Sequence, residues 1–331
     1  MSVALATSTL PAERAQAQKT FAKNSKSFRF AAAFLSKTTA DNAALVYQFC
    51  RKVDDLADDA TCVATAERHL QDVLEQCTTG QARSPEVVGF LETSSRCGIP
   101  LEAAEVLVEG VLFDLQPVRI KSKSELCWYA YRVAGVVGRM MCPVLGVKDR
   151  RAIEFAVDLG LAMQITNICR DVKEDAQLGR VYVPTDLLGT YGLEADDILV
   201  GRYTRSQIAA VIDELLKLAE SLYDRSMLGM RFIPFRSRLA ILMARRIYRE
   251  IGRKLQREHS SDPSHGRTVV GWFGKCSQAF LAFFDAIRPS VLGLVEKEIP
   301  DHPVVRHWKV LTDSRQSLTS DEHRAKEVVY G

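Results

Sequence analysis

Apolar residues recur at three- and four-residue spacing along most of the chain, the pattern of amphipathic helices packed face to face. In ATAERHLQDVLEQC, Leu70, Val73, Leu74 and Cys77 fall on one side. TTADNAALVYQFCRKVDDLADDA shows the same spacing behind a candidate cap at Thr39 or Asp41. PEVVGFLETSSRCGIP reads as a helix ended by Gly98 and Pro100, and LEAAEVLVEGVLFDL follows it. KSELCWYAYRVAGVVGRMMCPVLGV is apolar almost all round, with Gly135 and Gly138 permitting close helix packing. DRRAIEFAVDLGLAMQITNICRDVKEDAQLG is a long helix closed by Gly179. RSQIAAVIDELLKLAESLYDRSMLGM, RSRLAILMARRIYREIGRKLQRE and CSQAFLAFFDAIRPSVLGLVEKE complete the set.

Strand signals are few: RVYVP is short and ends at a proline. Strands do not alternate with helices, which argues against an α/β fold, and no repeat of solenoid length is visible. LLGTYGLEADDILVGRYT and HSSDPSHGRT read as loops, not as linkers between domains. The expectation is one all-α domain of roughly ten helices over residues 16–315, with residues 1–15 and 316–331 as loose ends.

Composition changes this picture little. The 331 residues are 47% hydrophobic and 26% charged, as in ordinary globular proteins, and a net charge of +3 gives no reason to expect a nucleic-acid partner. Eight cysteines form no C-x-x-C pair, so a zinc ribbon is disfavoured; several sit in apolar helical patterns as small hydrophobes, which suits a reducing compartment. The N-terminus carries no secretory pattern and no apolar run reaches about 18 residues, so the expected location is cytoplasmic, without a membrane span.

The candidate chemistry lies in two acidic stripes. RKVDDLADDA places Asp54, Asp55, Asp58 and Asp59 within six residues, where like charges four apart repel. At about 100° per residue, Tyr47, Arg51, Asp54 and Asp58 share an arc of roughly 60° on an otherwise apolar helix, with Asp55 and Asp59 beyond its edge. In QITNICRDVKED, Gln164, Asn167, Asp171 and Asp175 share roughly 80° on a second apolar helix. Carboxylates on buried faces need cations, and Arg51 and Arg170 cannot neutralise four aspartates. Hard divalent ions such as Mg²⁺ prefer oxygen ligands and are held by one or two carboxylates plus substrate phosphates. Facing carboxylate pairs would therefore bind a diphosphate through Mg²⁺. A solvated acidic face is the ordinary reading of one such pair, but two pairs, each in a polar stripe with a nearby arginine on an apolar helix, argue against it; an ion-pair network with surface lysines is a weaker rival and does not explain Gln164 and Asn167 in the stripe.

SKSFRFAAAFL, YQFCRKVDDLADD, YAYRVAGVVGRMM, QITNICRDVKEDAQLGRVYVP and RRIYREIGRKL together resemble the squalene/phytoene synthase family of head-to-head prenyl synthases, from about Lys23 to about Leu281. YRVAGVVG and GRVYVP look closest to bacterial-type phytoene synthases. The resemblance implies the isoprenoid synthase fold around a central hydrophobic cavity. It implies Mg²⁺, with Mn²⁺ as a substitute, and two geranylgeranyl diphosphates joined through a cyclopropyl diphosphate to phytoene, with no nicotinamide cofactor. It makes Asp54, Asp58, Asp171 and Asp175 metal ligands, with Asn167 and Arg51 beside them. It places Ser25, Lys26, Ser27, Tyr47, Arg51, Gln164, Asn167, Arg170, Tyr248 and Arg267 around diphosphate, with Phe28 nearby. AYRVAGVVGRMMCPVLG and LGLAMQI become candidate cavity walls, and Tyr129 and Tyr131 candidate partners of carbocation charge, though core packing explains each tyrosine alone.

A C30 enzyme of the same family using farnesyl diphosphate is the nearest alternative. Squalene synthase itself, with its nicotinamide cofactor and C-terminal anchor, fits the polar ending SLTSDEHRAKEVVYG less well. A helical nucleotide pyrophosphatase would need Glu-rich or His-Asp signatures, and a non-catalytic scaffold remains a third class. The basic cluster Arg245, Arg246, Arg249, Arg253 and Lys254 reads as a solvated surface, part of it facing diphosphate or anionic lipid. The resemblance also suggests peripheral membrane contact and downstream carotenoid enzymes as partners.

Overall fold

The computed structural model describes residues 31–58, 62–257, 272–288 and 291–292. Ser25, Lys26, Ser27, Phe28, Asp59, Arg267 and both termini lie outside the described residues.

Twelve α-helices occur among the described residues: α1 (Lys37–Asp58), α2 (Val63–Thr79), α3 (Pro85–Cys97), α4 (Glu102–Phe113), α5 (Lys123–Ala130), α6 (Val136–Val144), α7 (Ala152–Gln177), α8 (Thr185–Thr190), α9 (Ala195–Val200), α10 (Arg205–Gly229), α11 (Phe235–Arg257) and α12 (Trp272–Ala286). The all-α expectation holds. The cap of α1 is Ser36 rather than Thr39 or Asp41: its hydroxyl accepts from the Thr39 backbone N–H at 3.2 Å. α3 ends at Gly98 as expected, where φ of 78° suits a residue without a Cβ.

Three expectations need correction. The apolar stretch from Lys123 is not one helix; a π-helical segment, Tyr131–Gly135, separates α5 from α6. The stretch read as a loop after Pro184 folds into the short helices α8 and α9, each followed by a left-handed glycine, Gly192 and Gly201. RVYVP forms only an isolated parallel bridge, Val181 to Arg119.

α7 is the axis of the molecule, packing against α10, α6, α11 and the π segment. Two glycines explain how closely it sits against the α6 arm. A Cβ on Gly138 would lie 2.3 Å from the Ala156 carbonyl oxygen, and one on Gly160 would lie 2.5 Å from that of Ala134. By length and composition α7 alone, among the described residues, could cross a membrane; 61% of that apolar window is buried inside the protein, as befits a core helix. Five of the seven described cysteines are buried and none is in a disulfide, in keeping with their reading as small hydrophobes.

Candidate active site: two aspartate banks at the mouth of an apolar cavity

Between α1, α6, α7 and α11 lies a cavity of about 430 Å³. Its walls include Val133, Val137, Met141, Leu159 and Met163, from the two segments expected to line it. Tyr47, Arg51, Asp54, Gln164, Asn167, Arg170 and Tyr248 all reach it. A polar pocket adjoins this end, sharing Arg51, Asp54, Gln164, Asn167 and Arg170 and adding Asp58, Asp171 and Asp175. The helical-face argument therefore brings both acidic stripes together at one mouth. Asp55 does not line it: it pairs with Arg51, one turn away on α1.

The banks differ in backbone. Asp54 and Asp58 extend from regular helix, whereas Asp171 has φ −108° and ψ 17°, a break inside α7. Arg170 folds onto its neighbour, its Nε donating to Asp171 Oδ1 at 2.7 Å. Beyond α7, Arg180 reaches back to α1 and donates to Asp58 Oδ1 at 2.8 Å, while its Nε donates to the Asp114 carbonyl at 3.2 Å.

Asp114, Arg180 and Tyr182 were not singled out by spacing. The Asp114 carboxylate accepts from the hydroxyls of Tyr129 at 2.9 Å and Tyr182 at 2.8 Å, and those two rings stack 4.8 Å apart. Tyr129 thus lines the mouth and orients a carboxylate, while Tyr131 is core and only 1% exposed. The signal for Arg180 and Tyr182 was present in GRVYVP. Asp114 is a lone acid after an apolar helix and carries no comparable pattern.

The mouth carries more negative charge than its arginines offset. Burial, then the neighbouring Asp58, pushes the Asp54 carboxyl up to about 7. Burial and Asp171 push Asp175 up to about 8. Burial raises Asp114 to about 6 against the hydrogen bond from Tyr182, and raises the Tyr47 hydroxyl to about 12. Among the described residues no salt bridge reaches Asp54 or Asp175, and the buried Asn167 Oδ1 has no hydrogen-bond partner. An oxygen-only donor set, surplus charge and an orphaned amide oxygen fit Mg²⁺. No three His, Cys, Asp or Glu side chains among the described residues converge into a ready-made metal cage. Each bank offers one or two carboxylates, the arrangement in which phosphate oxygens and water complete the shell.

The basic cluster of α11 is not part of this site. Arg245 is buried and donates twice to the Tyr223 carbonyl. Arg246 meets Asp285 of α12 at 2.5 Å, Arg249 meets Glu220 and Asp224 of α10, and Arg253 faces Glu220. Helical rotation turns these arginines away from Tyr248, which alone of the named α11 polar residues enters the cavity. The expectation that part of the cluster faces diphosphate is overturned: none of the five lines the cavity or its mouth.

Comparison with known proteins fits this geometry. Residues 21–273 match the squalene/phytoene synthase family. A phytoene synthase of Pseudescherichia vulneris is 32% identical over 86% of this chain and 97% of its own length. One from Rhodobacter capsulatus is 37% identical over 69% of this chain and 68% of its own. Among solved structures, a dehydrosqualene synthase in complex with ligand superposes with a TM-score of 0.75 at 28% identity, covering 83% of this chain and 96% of that one. The squalene synthase HpnC from Alicyclobacillus acidocaldarius superposes with a TM-score of 0.66 at 25% identity, covering 76% of this chain and 95% of its own. The chain belongs to the squalene/phytoene synthase family and has the isoprenoid synthase fold. It is a prenyltransferase of the phytoene synthase type.

Proposed function

We propose that the protein condenses two geranylgeranyl diphosphates head to head to phytoene, with Mg²⁺ as its cofactor. The observation that carries this reading is the pairing of Asp54 and Asp58 with Asp171 and Asp175 at the mouth of a 430 Å³ apolar cavity. The diphosphates would sit at the polar end and the prenyl chains inside. Asp54, Asp58, Asn167, Asp171 and Asp175 would hold Mg²⁺, which when bound neutralises the leaving diphosphate.

In the first half-reaction the allylic C–O bond of one substrate breaks and diphosphate departs with the electron pair. The double bond of the second substrate attacks the cation, and loss of a proton closes the cyclopropyl diphosphate. In the second half the remaining C–O bond breaks, the carbocation rearranges, and loss of a second proton gives phytoene; two diphosphates and two protons leave in all. Arg51 and Arg170 stand where departing diphosphate charge develops. Val137, Met141 and Met163 supply walls that exclude water from the cations.

The C30 reading, with farnesyl diphosphate, draws support from the likeness to dehydrosqualene synthase. Incubation with each labelled diphosphate, with and without Mg²⁺, decides between them. The expected result is Mg²⁺-dependent C40 product from the C20 substrate. Diphosphate release from no prenyl substrate would end the enzymatic reading.

A further inference from the structure

The arginines that turn away from the catalytic cavity enclose a smaller pocket of their own. It lies between α10, α11 and α12 and measures about 240 Å³. Arg245, Arg246, Arg249 and Arg253 of α11 and Arg288 just beyond α12 line it, against the carboxylates of Asp224, Glu250 and Asp285. These five guanidinium groups outnumber the three acids by two, and by one when Glu220, paired with Arg249 and Arg253, is counted. Glu250 is also held by Arg257, from outside the pocket. Arg245 is only 3% exposed. Burial, then the like charge of Arg249, holds its guanidinium below the usual range, at about 10.

Hydrogen-bonding capacity is left over on both sides. Arg253 meets Glu220 through its Nε at 3.4 Å. A guanidinium carries a fork of N–H donors, so Arg253 keeps donors for a further acceptor. Asp285 is buried, and Arg246 donates to its Oδ2 at 2.5 Å. Arg288 approaches the other oxygen, Oδ1, at 3.0 Å but without the alignment of a hydrogen bond, and Oδ1 has no hydrogen-bond partner. Forked donors with surplus positive charge select phosphate oxygens. A buried carboxylate oxygen lacking a donor selects, among such anions, one that keeps a P–OH. Among the described residues no aromatic side chain lines the pocket, so a nucleobase finds nothing to stack on. We infer that this pocket is a second anion site, separate from the catalytic mouth, for the protonated phosphate group of inorganic diphosphate, inorganic phosphate or a phosphate-monoester lipid. Its occupant ties α10, α11 and α12 together, and α11 presents Tyr248 to the catalytic cavity. Unlike the mouth, the pocket needs no metal, and it stands whether or not the prenyl-diphosphate reading does.

The test is calorimetric titration of the whole protein in metal-free buffer at about 0.15 M salt, with inorganic diphosphate, inorganic phosphate and sulfate as probes. Without metal the acidic mouth repels all three. Diphosphate and phosphate are expected to bind and to raise the melting temperature. Sulfate, which has no hydroxyl, is expected to bind at least about 10-fold more weakly than phosphate. Arg253→Ala combined with Arg288→Ala is expected to weaken diphosphate binding by about 10-fold or more. Arg202→Ala combined with Lys217→Ala, which removes the same charge elsewhere on the surface, and Arg51→Ala at the mouth are expected to leave it unchanged. Sedimentation with phosphatidylcholine vesicles, with and without phosphatidic acid, tells the sources apart. Binding of the soluble anions alone assigns a free phosphate; co-sedimentation that needs phosphatidic acid and is lost in the pocket variant assigns the lipid. Thermal melting confirms that each variant folds. If the double variant does not fold, Arg253→Ala alone decides, since that side chain is 46% exposed. Binding of neither the soluble anions nor the vesicles, or a loss equal in the charge-matched variant, or a loss that follows Arg51→Ala instead, overturns the site. Sulfate bound as tightly as phosphate overturns the role of Asp285.

Discussion

Arg180 binds Asp58 across the mouth of the cavity, at 2.8 Å, from a turn that lies 122 residues later in the sequence. The same guanidinium is tethered to the Asp114 backbone, so the first aspartate bank is positioned by the segment that follows the second. Removing the guanidinium leaves Asp58 free to rotate and adds negative charge to an already acidic mouth. Arg180→Ala is expected to reduce kcat/KM by about 10–100-fold, the usual effect of losing a group that orients a metal ligand. Arg180→Lys should recover part of that loss. Steady-state kinetics at saturating Mg²⁺ check this; an Arg180→Ala enzyme with unchanged kcat/KM removes the positioning role.

Function and stability oppose one another at Asp54. Its carboxyl is raised to about 7 by burial and by Asp58, so ionised Asp54 destabilises the metal-free fold at pH 8. Asp54→Asn is expected to abolish turnover, to leave the far-UV CD spectrum helical and to raise the melting temperature measured in EDTA. Mg²⁺ with inorganic diphosphate should raise the melting temperature of the unmutated protein by ligand linkage and do so far less in the variant. An Asp54→Asn protein that still turns over substrate removes Asp54 from the site.

The same charges give the metal-free protein a pH dependence of definite sign. Asp54 at about 7 and Asp175 at about 8 both lie above the ordinary unfolded carboxylate value, which is about 4. The folded state therefore holds these protons more tightly than the unfolded state does. Their stabilising contribution is fully present below the unfolded value and is lost as pH rises through 7 to 8. In EDTA, melting temperature should fall between pH 6 and pH 8.5, and the fall should shrink in Asp54→Asn. A rise over that interval in the unmutated protein, absent in the variant, would contradict the sign.

Much of this arrangement was legible in the sequence because helical periodicity is local. Spacing alone put Tyr47, Arg51, Asp54 and Asp58 on one face and Gln164, Asn167, Asp171 and Asp175 on another, and the excess of carboxylates over arginines pointed to divalent cations. What escaped was set by non-local contact. Asp114 has no pattern of its own and acquires a role only when Tyr129 and Tyr182 close over it. The arginines of α11 look like a face toward the substrate diphosphates until α10 and α12 supply Glu220, Asp224 and Asp285. The π segment at Tyr131 replaces a helix that propensity would have continued. The loop containing α8 and α9 is polar and glycine-rich, so its short helices depend on local caps such as the Glu194–Asp197 box rather than on an apolar stripe.

Gly138 offers a test of how the cavity wall is built. The α6 and α7 backbones meet there, and an added methyl would lie 2.3 Å from the Ala156 carbonyl oxygen and 2.8 Å from its carbon. Neither atom belongs to a flexible side chain, so the helices must separate. Gly138→Ala is expected to cost about 1–3 kcal/mol of unfolding free energy, the range for overpacking a close contact. Since both helices line the cavity, their separation should also lower kcat for the C20 substrate more than it raises KM. Urea unfolding gives the first quantity and steady-state kinetics the second. A variant with unchanged urea midpoint and kcat would mean that the wall yields without cost, and that close α6–α7 contact does not shape the cavity.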